Sequence, residues 1–84
     1  MKKLELRKIA LGTARSLLRE KGLDPLICSA FVAESFLDDF CRNNPDNLAS
    51  VYWKDFDGLK EWRGFKRDWR KWQKENRRYS NPID

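Results

Sequence analysis

Glu34 and Asp38 lie four residues apart, with Asp39 beside them. On a helix that spacing puts two carboxylates on one face. Such a pair has the chemistry to hold Mg²⁺ or to serve as acid and base. Nothing nearby completes either kind of site, since there is no third carboxylate at a fixed spacing and no Gly-rich phosphate loop. The chain has no His, which excludes a His-based triad, an imidazole metal ligand and an imidazole pH switch. The favoured reading is a solvent edge, or ion pairs with Arg7, Arg15 or Arg70. The expectation is a protein that is not an enzyme, with no catalytic residue, metal or cofactor. Cys28 and Cys41 form no Cys-x-x-Cys and read as small buried hydrophobes in a cytoplasmic, reduced setting.

A second group of residues is better placed for binding. Trp53, Trp62, Trp69 and Trp72 fall within 20 residues, with Phe56 and Phe65 among them. From Leu59 through Trp62, Phe65, Trp69 and Trp72 the steps are three and four, a single helical stripe. Opposite it, Lys60, Arg63, Lys66, Arg67, Arg70, Lys74, Arg77 and Arg78 share an arc of about 140° that holds no acid. Trp62, Phe65 and Trp69 take the central line and are expected in the core. Trp53 and Trp72 are expected partly exposed, where a Trp flanked by cations stacks on an unpaired base or anchors a protein interface.

The net charge of +5 conceals a segregation. Residues 1–22 carry +5, residues 23–56 carry −4 and residues 57–79 carry +5. In one reading the acidic middle neutralises the basic ends, and Glu5, Glu61, Asp68 and Glu75 add local helical pairs. In the other, the basic helices face a polyanion, with phosphates neutralised by Arg63, Lys66, Arg67, Arg70, Lys74, Arg77 and Arg78.

These residues need helices to position them. At 84 residues, with 40% hydrophobic and 13% aromatic, the chain is one small domain able to bury a core, not a disordered segment. The expected fold is all-α, a compact bundle of three to four helices with an apolar central helix, over residues 1–79, followed by a frayed tail at 80–84. The first helix spans about Lys2 to Lys21, with Gly22 in the left-handed capping position. Its Leu4, Leu11 and Leu18, seven apart, suit either core or a dimer seam, so the oligomeric state stays open. The second helix is expected to start at Asp24 as cap with Pro25 in its first turn. It is apolar nearly all round in its first half and ends at Asn43 to Pro45. Residues 45–58 are read as a short helix, with an extended Val51-Tyr52-Trp53 as the competing reading. Asp57-Gly58 signals a turn, and the last helix runs from about Leu59 to Arg78. Gly64 inside it costs about 1 kcal/mol relative to Ala, marking either a close helix approach or a kink.

No apolar run approaches the roughly 20 residues of a membrane span, and a signal peptide is not expected. A membrane-surface helix would divert the Trp face from the core. A helix-turn-helix would need a polar second helix, whereas Leu26 to Ala33 is strongly apolar.

The run Trp62-Arg63-Gly64-Phe65-Lys66-Arg67-Asp68-Trp69-Arg70-Lys71-Trp72 resembles the Trp/Phe-rich helical C-terminal domain of primosomal and phage replication-initiation proteins. That resemblance covers about a quarter of the chain. It implies single-stranded DNA contact through Trp62, Phe65, Trp69, Arg67, Arg70 and Lys71. The chain departs from the family in its first 44 residues, which do not match it, and it shows no preceding winged-helix domain.

The expectation is a small accessory protein of phage or mobile-element type that binds nucleic acid, DNA and in particular single strands. The alternative is an inhibitor or adaptor docking on an acidic protein surface of a DNA-handling enzyme, with Trp72, Trp53 and Arg70 as anchors.

Overall fold

The computed structural model describes residues 2–56 and 58–80, the last three by backbone alone. The described residues form α1 (Lys3–Glu20), α2 (Ala30–Asn43), α3 (Leu48–Lys54) and α4 (Gly58–Ser80), with no strand among them. The expected all-α bundle is therefore observed, and the uncertain stretch after Pro45 contains a short helix. No helix among the described residues is long and apolar enough to cross a membrane. Of the expected frayed tail, Ser80 closes α4 and residues 81–84 lie outside the described residues.

The end of α1 follows from Gly22, whose φ of 76° only glycine adopts without strain. Leu23 N–H donates to the Leu18 carbonyl at 2.9 Å and Gly22 N–H to that of Arg19 at 3.0 Å. These two bonds form a Schellman cap.

The expected start of α2 needs correction. Asp24 does accept a hydrogen bond, from Leu26 N–H at 3.0 Å, but this closes only an isolated turn. The helix begins at Ala30, where the Ser29 hydroxyl accepts from Val32 N–H at 3.2 Å. The physical reason lies in α4. Gln73 donates to the carbonyls of Pro25 and Cys28, the Trp69 indole donates to that of Cys28, and Arg77 donates to that of Leu26. Carbonyls that would have accepted helical N–H groups are held by side chains of another element. At α3 the cap is Asn47, whose side chain accepts from Ala49 N–H at 2.9 Å.

The core joins all four helices. It contains Ala10, Leu11, Ala14 and Leu18 of α1, Ala30, Ala33, Leu37 and Cys41 of α2, Ala49 and Tyr52 of α3, and Phe65 and Trp69 of α4. Alanines from three helices let the backbones approach, and the large rings fill the space between them. Phe65 and Trp69 are fully buried and nearly parallel, with centroids 6.5 Å apart.

Two expectations about the apolar faces change, and the leucines spaced by seven divide between core and surface. Leu59, placed on the stripe by its spacing, is 67% exposed. Ile27, Phe31 and Val32 are also exposed, so the first half of the second apolar segment is not buried all round. Of the three leucines spaced by seven, Leu11 and Leu18 are core while Leu4 is exposed.

Candidate nucleic-acid interface

The orientation of α4 is set by its buried edge. Glu61, Gly64, Phe65 and Trp69 face inward, while Arg63, Arg67, Arg70 and Lys74 face solvent. These four cations step by four, three and four, so they line one side of the helix over about 16 Å at 1.5 Å per residue. Arg67 Nε lies 3.5 Å from Asp68, and the Arg67 side chain is 73% exposed. Such a pair is worth little and leaves the charge accessible. Arg63, Arg70 and Lys74 make no ion pair with the described residues.

The remaining expected site residues fall in different places. Lys66 is half-buried, with Nζ 5.4 Å from the centre of the Trp62 ring. Arg77 is exposed but donates to the Leu26 carbonyl at 3.0 Å, so its guanidinium has a structural contact. The Arg78 side chain lies outside the described residues. Trp53 is half-buried, donates from its indole to Asp38 at 2.9 Å, and packs 4.4 Å from the Phe56 ring and 5.9 Å from Phe65. Trp72 is half-buried at the edge of α4, 5.7 Å from the Trp69 ring.

Trp72 forms one wall of an open groove of about 370 Å³ between α1 and α4. Lys8 and Arg15 line it from α1, and Asp68, Lys71 and Glu75 from α4. The Arg15 guanidinium lies over the Trp72 ring at 4.7 Å. Partial burial lowers the Arg15 pKa, and the charge of Arg19 lowers it further. The sequence places Arg15 on the polar side of its helix; in the fold it joins the two helices.

A second charged cluster lies deeper. Arg7 is only 7% exposed, yet it donates to Asp68 at 3.1 Å and to Glu61 at 3.2 Å. Tyr52 donates to Glu61 at 2.8 Å, and Lys3 Nζ lies 3.6 Å from it. Burial would raise the Glu61 pKa, but the Tyr52 hydroxyl, Arg7 and Lys3 together hold it below the usual carboxylate value. Burial and the Glu61 charge push the Tyr52 hydroxyl well up, so it remains a donor. Arg7 itself is lowered by burial but raised on balance by Asp68, Tyr52 and Glu61.

This cluster corrects the expected pairings. Arg7 reaches neither Glu34 nor Asp38. Glu61 and Asp68 act across helices, not only along α4. Asp38 instead pairs with Arg42 at 2.9 Å on its own helix. Glu34 is raised by burial and then by the charge of Asp38. The sequence did carry one signal for Arg7: it lies three, four and seven residues before Ala10, Leu11 and Ala14, on the buried face.

Cys41 is buried and Cys28 half-buried, both as free thiols. No cluster of three or more Cys, Asp or Glu among the described residues is placed to hold a metal ion.

Comparisons with protein-family models, curated proteins and solved structures returned no match.

Proposed function

We propose that this chain is a non-enzymatic nucleic-acid-binding protein whose contact surface is the outer face of α4. One observation carries the reading: Arg63, Arg67, Arg70 and Lys74 form a solvent-facing line in which, among the described residues, only Arg67 makes an ion pair, and its side chain is exposed. Cations spaced along one helix neutralise successive phosphates and release condensed counterions. Affinity then depends steeply on salt and weakly on sequence. The resemblance of residues 62–72 to replication-initiation proteins points the same way and favours DNA.

The test is binding of a labelled oligonucleotide at a series of salt concentrations. The double variant Arg67→Ala with Arg70→Ala removes two phosphate contacts. It is expected to weaken binding on every sequence and to flatten the plot of log affinity against log salt by about 1.4–1.8. No binding at low salt, or an unchanged slope, overturns the proposal.

A second reading is supported by Ile27 and Phe31, which are 75% and 67% exposed near the start of α2. Exposed apolar groups of this size are a feature of protein-docking surfaces. Under this reading the chain is an adaptor or inhibitor for an acidic surface of another protein, and the double variant has no oligonucleotide binding to lose.

A further inference from the structure

We infer that an open pocket beside the first turns of α4 receives the terminal phosphate of a nucleic-acid strand, so that a phosphorylated strand end binds more tightly than a bare one. The inference rests on the phosphate-binding reading of α4 and assigns the point at which the bound strand ends.

The pocket has a volume of about 580 Å³. Lys60, Arg63 and Arg67 line it from α4 and Arg7 lines it from α1. At about 100° per residue, the three α4 cations fall within about 60° of the helix circumference. Arg70 and Lys74 widen that arc only to about 80°, so the pocket and the line of cations share one side of α4. From Lys60 to Arg67 is about 10 Å along the helix axis.

The wall on the α1 side exists because residue 64 is glycine. A Cβ there would lie 2.7–2.9 Å from the Arg7 guanidinium, which takes the space of a side chain. Arg7 is 7% exposed and is held in place by Glu61 and Asp68. Its Nε is buried and donates to none of the described residues. This wall therefore keeps an N–H that the acids of the cluster leave unused, and a buried donor without an acceptor is costly. Glu61 is the one acid in the described lining, and both its oxygens are engaged, by Tyr52, Arg7 and Lys3. Arg7 and Lys3 match the charges of Glu61 and Asp68. The pocket is left with the charge of Lys60, Arg63 and Arg67, all three exposed.

Three features select a strand end. The first is charge: a phosphate monoester carries about −1.5 to −2 near neutral pH, whereas an internal phosphate carries one charge. Three cations within about 10 Å suit the larger charge. The second is that the track of cations stops here. No Lys or Arg lies between Lys54 and Lys60, and the intervening sequence holds Asp55 and Asp57. A polyanion seated on Arg67, Arg70 and Lys74 gains nothing by continuing past Lys60. The third is size. A volume of about 580 Å³ is in the range of small-ligand sites and takes a terminal nucleotide, where a free phosphate would leave most of it unfilled.

The test compares three oligodeoxythymidine strands of about 12 nucleotides: one without a terminal phosphate, one phosphorylated at the 5′ end and one at the 3′ end. Binding is followed by anisotropy of an internal dye at low salt. At least one phosphorylated strand is expected to bind about 5- to 10-fold more tightly than the bare one, a gain between that of an exposed ion pair and that of a charge-assisted hydrogen bond. Lys60→Ala should remove most of the gain. Lys74→Ala deletes the same charge about 21 Å further along α4 and should weaken all three strands alike, leaving the gain intact. Both side chains are exposed, so neither variant threatens the fold. Inorganic phosphate, added at constant ionic strength, should reduce the gain only when in large excess over the strand.

Equal affinity for the three strands overturns the strand-end site and leaves the phosphate reading standing. A gain that Lys60→Ala and Lys74→Ala reduce equally also overturns it, because such a gain reports total charge and not the pocket. Inorganic phosphate that abolishes the gain at the concentration of the strand itself assigns the pocket to free phosphate and overturns the strand end as occupant. Binding to none of the three strands overturns both readings.

Discussion

Replacing Gly64 with Ala sets two physical effects of opposite sign against each other. Gly64 lies inside α4, where helix propensity alone favours Ala by about 1 kcal/mol. In the fold, a Cβ at that position would lie 2.7–2.9 Å from three atoms of the Arg7 guanidinium. Favourable contacts between such atoms occur at about 3.5–4.0 Å. The guanidinium would have to retreat by most of an ångström. An exposed arginine would do so at almost no cost. Arg7 is 7% exposed and bound to both Glu61 and Asp68, so retreat stretches charge-assisted bonds already at 3.1–3.2 Å toward the limit of a hydrogen bond. Overpacking costs about 1–3 kcal/mol. Weakening the charged bonds adds about 1–2 kcal/mol, part of their usual worth. After the propensity gain, Gly64→Ala is expected to lose about 1–4 kcal/mol, which is several degrees or more in Tm for a chain this small.

Urea unfolding followed by Trp fluorescence measures this directly, provided the denaturant slope stays at its wild-type value. Gly12 supplies the control. It also lies inside a helix, but a Cβ there meets only the Arg15 side chain, at an ordinary 3.5 Å. Gly12→Ala should stabilise by up to about 1 kcal/mol. If Gly64→Ala stabilises by the same amount, Arg7 is not held against α4 as described, and the account of the buried cluster fails.

Three further outcomes follow from the same structure. The lowered Glu61 pKa means that its contribution to stability is full above the ordinary carboxylate value of 4.5 and is lost as pH falls through the lower folded value; Glu61→Gln should reduce the urea midpoint at neutral pH and flatten this part of the acid limb. Ser29→Ala should cost about 1 kcal/mol as the loss of a helix cap, and Asp24→Ala should cost less, because the Asp24 side chain closes only an isolated turn; thermal melts of the two variants decide which residue caps α2. Phe65→Ala should cost about 3–5 kcal/mol, whereas Leu59→Ala, earlier on the same sequence stripe, should stay within about 0.5 kcal/mol; chemical denaturation distinguishes a stripe that is buried throughout from one that begins after its first turn.

The features readable in the sequence were those that depend on local spacing. Steps of three and four placed Phe65 and Trp69 in the core and the α4 cations on the opposite side, because both follow from the 3.6-residue helical repeat. Gly22 marked the end of α1 because its cap depends on backbone conformation alone. Steps of three each fall about 60° short of a full turn, so Leu59 drifts off the stripe onto the azimuth of Arg77, on the cation side, and is exposed. Local signals also failed where two caps competed. Asp24-Pro25 and Ser29 are both sound helix starts, and the choice is made by Gln73, Trp69 and Arg77, whose sequence separations from the turn range from 41 to 51 residues.

The charged cluster shows how a solvent-facing line of cations and a core edge can share one helix. A glycine in the middle of α4 is unfavourable locally, and the sequence alone offers a kink or a close approach as the reason. The fold supplies the reason as an arginine from α1, whose acidic partners lie 54 and 61 residues away. By taking Glu61 and Asp68 as those partners, Arg7 draws two of the acids of α4 toward α1, while Glu75 stays exposed. Arg63, Arg70 and Lys74 make no ion pair with the described residues, and Arg67 has only an exposed contact with Asp68. The positive face of α4 therefore depends on Arg7 as well as on its own cations. Loss of Arg7 would strand Glu61 in the core, at a cost typical of a broken buried pair, about 3–5 kcal/mol, and would free Asp68 to offset the charge that the outer face presents.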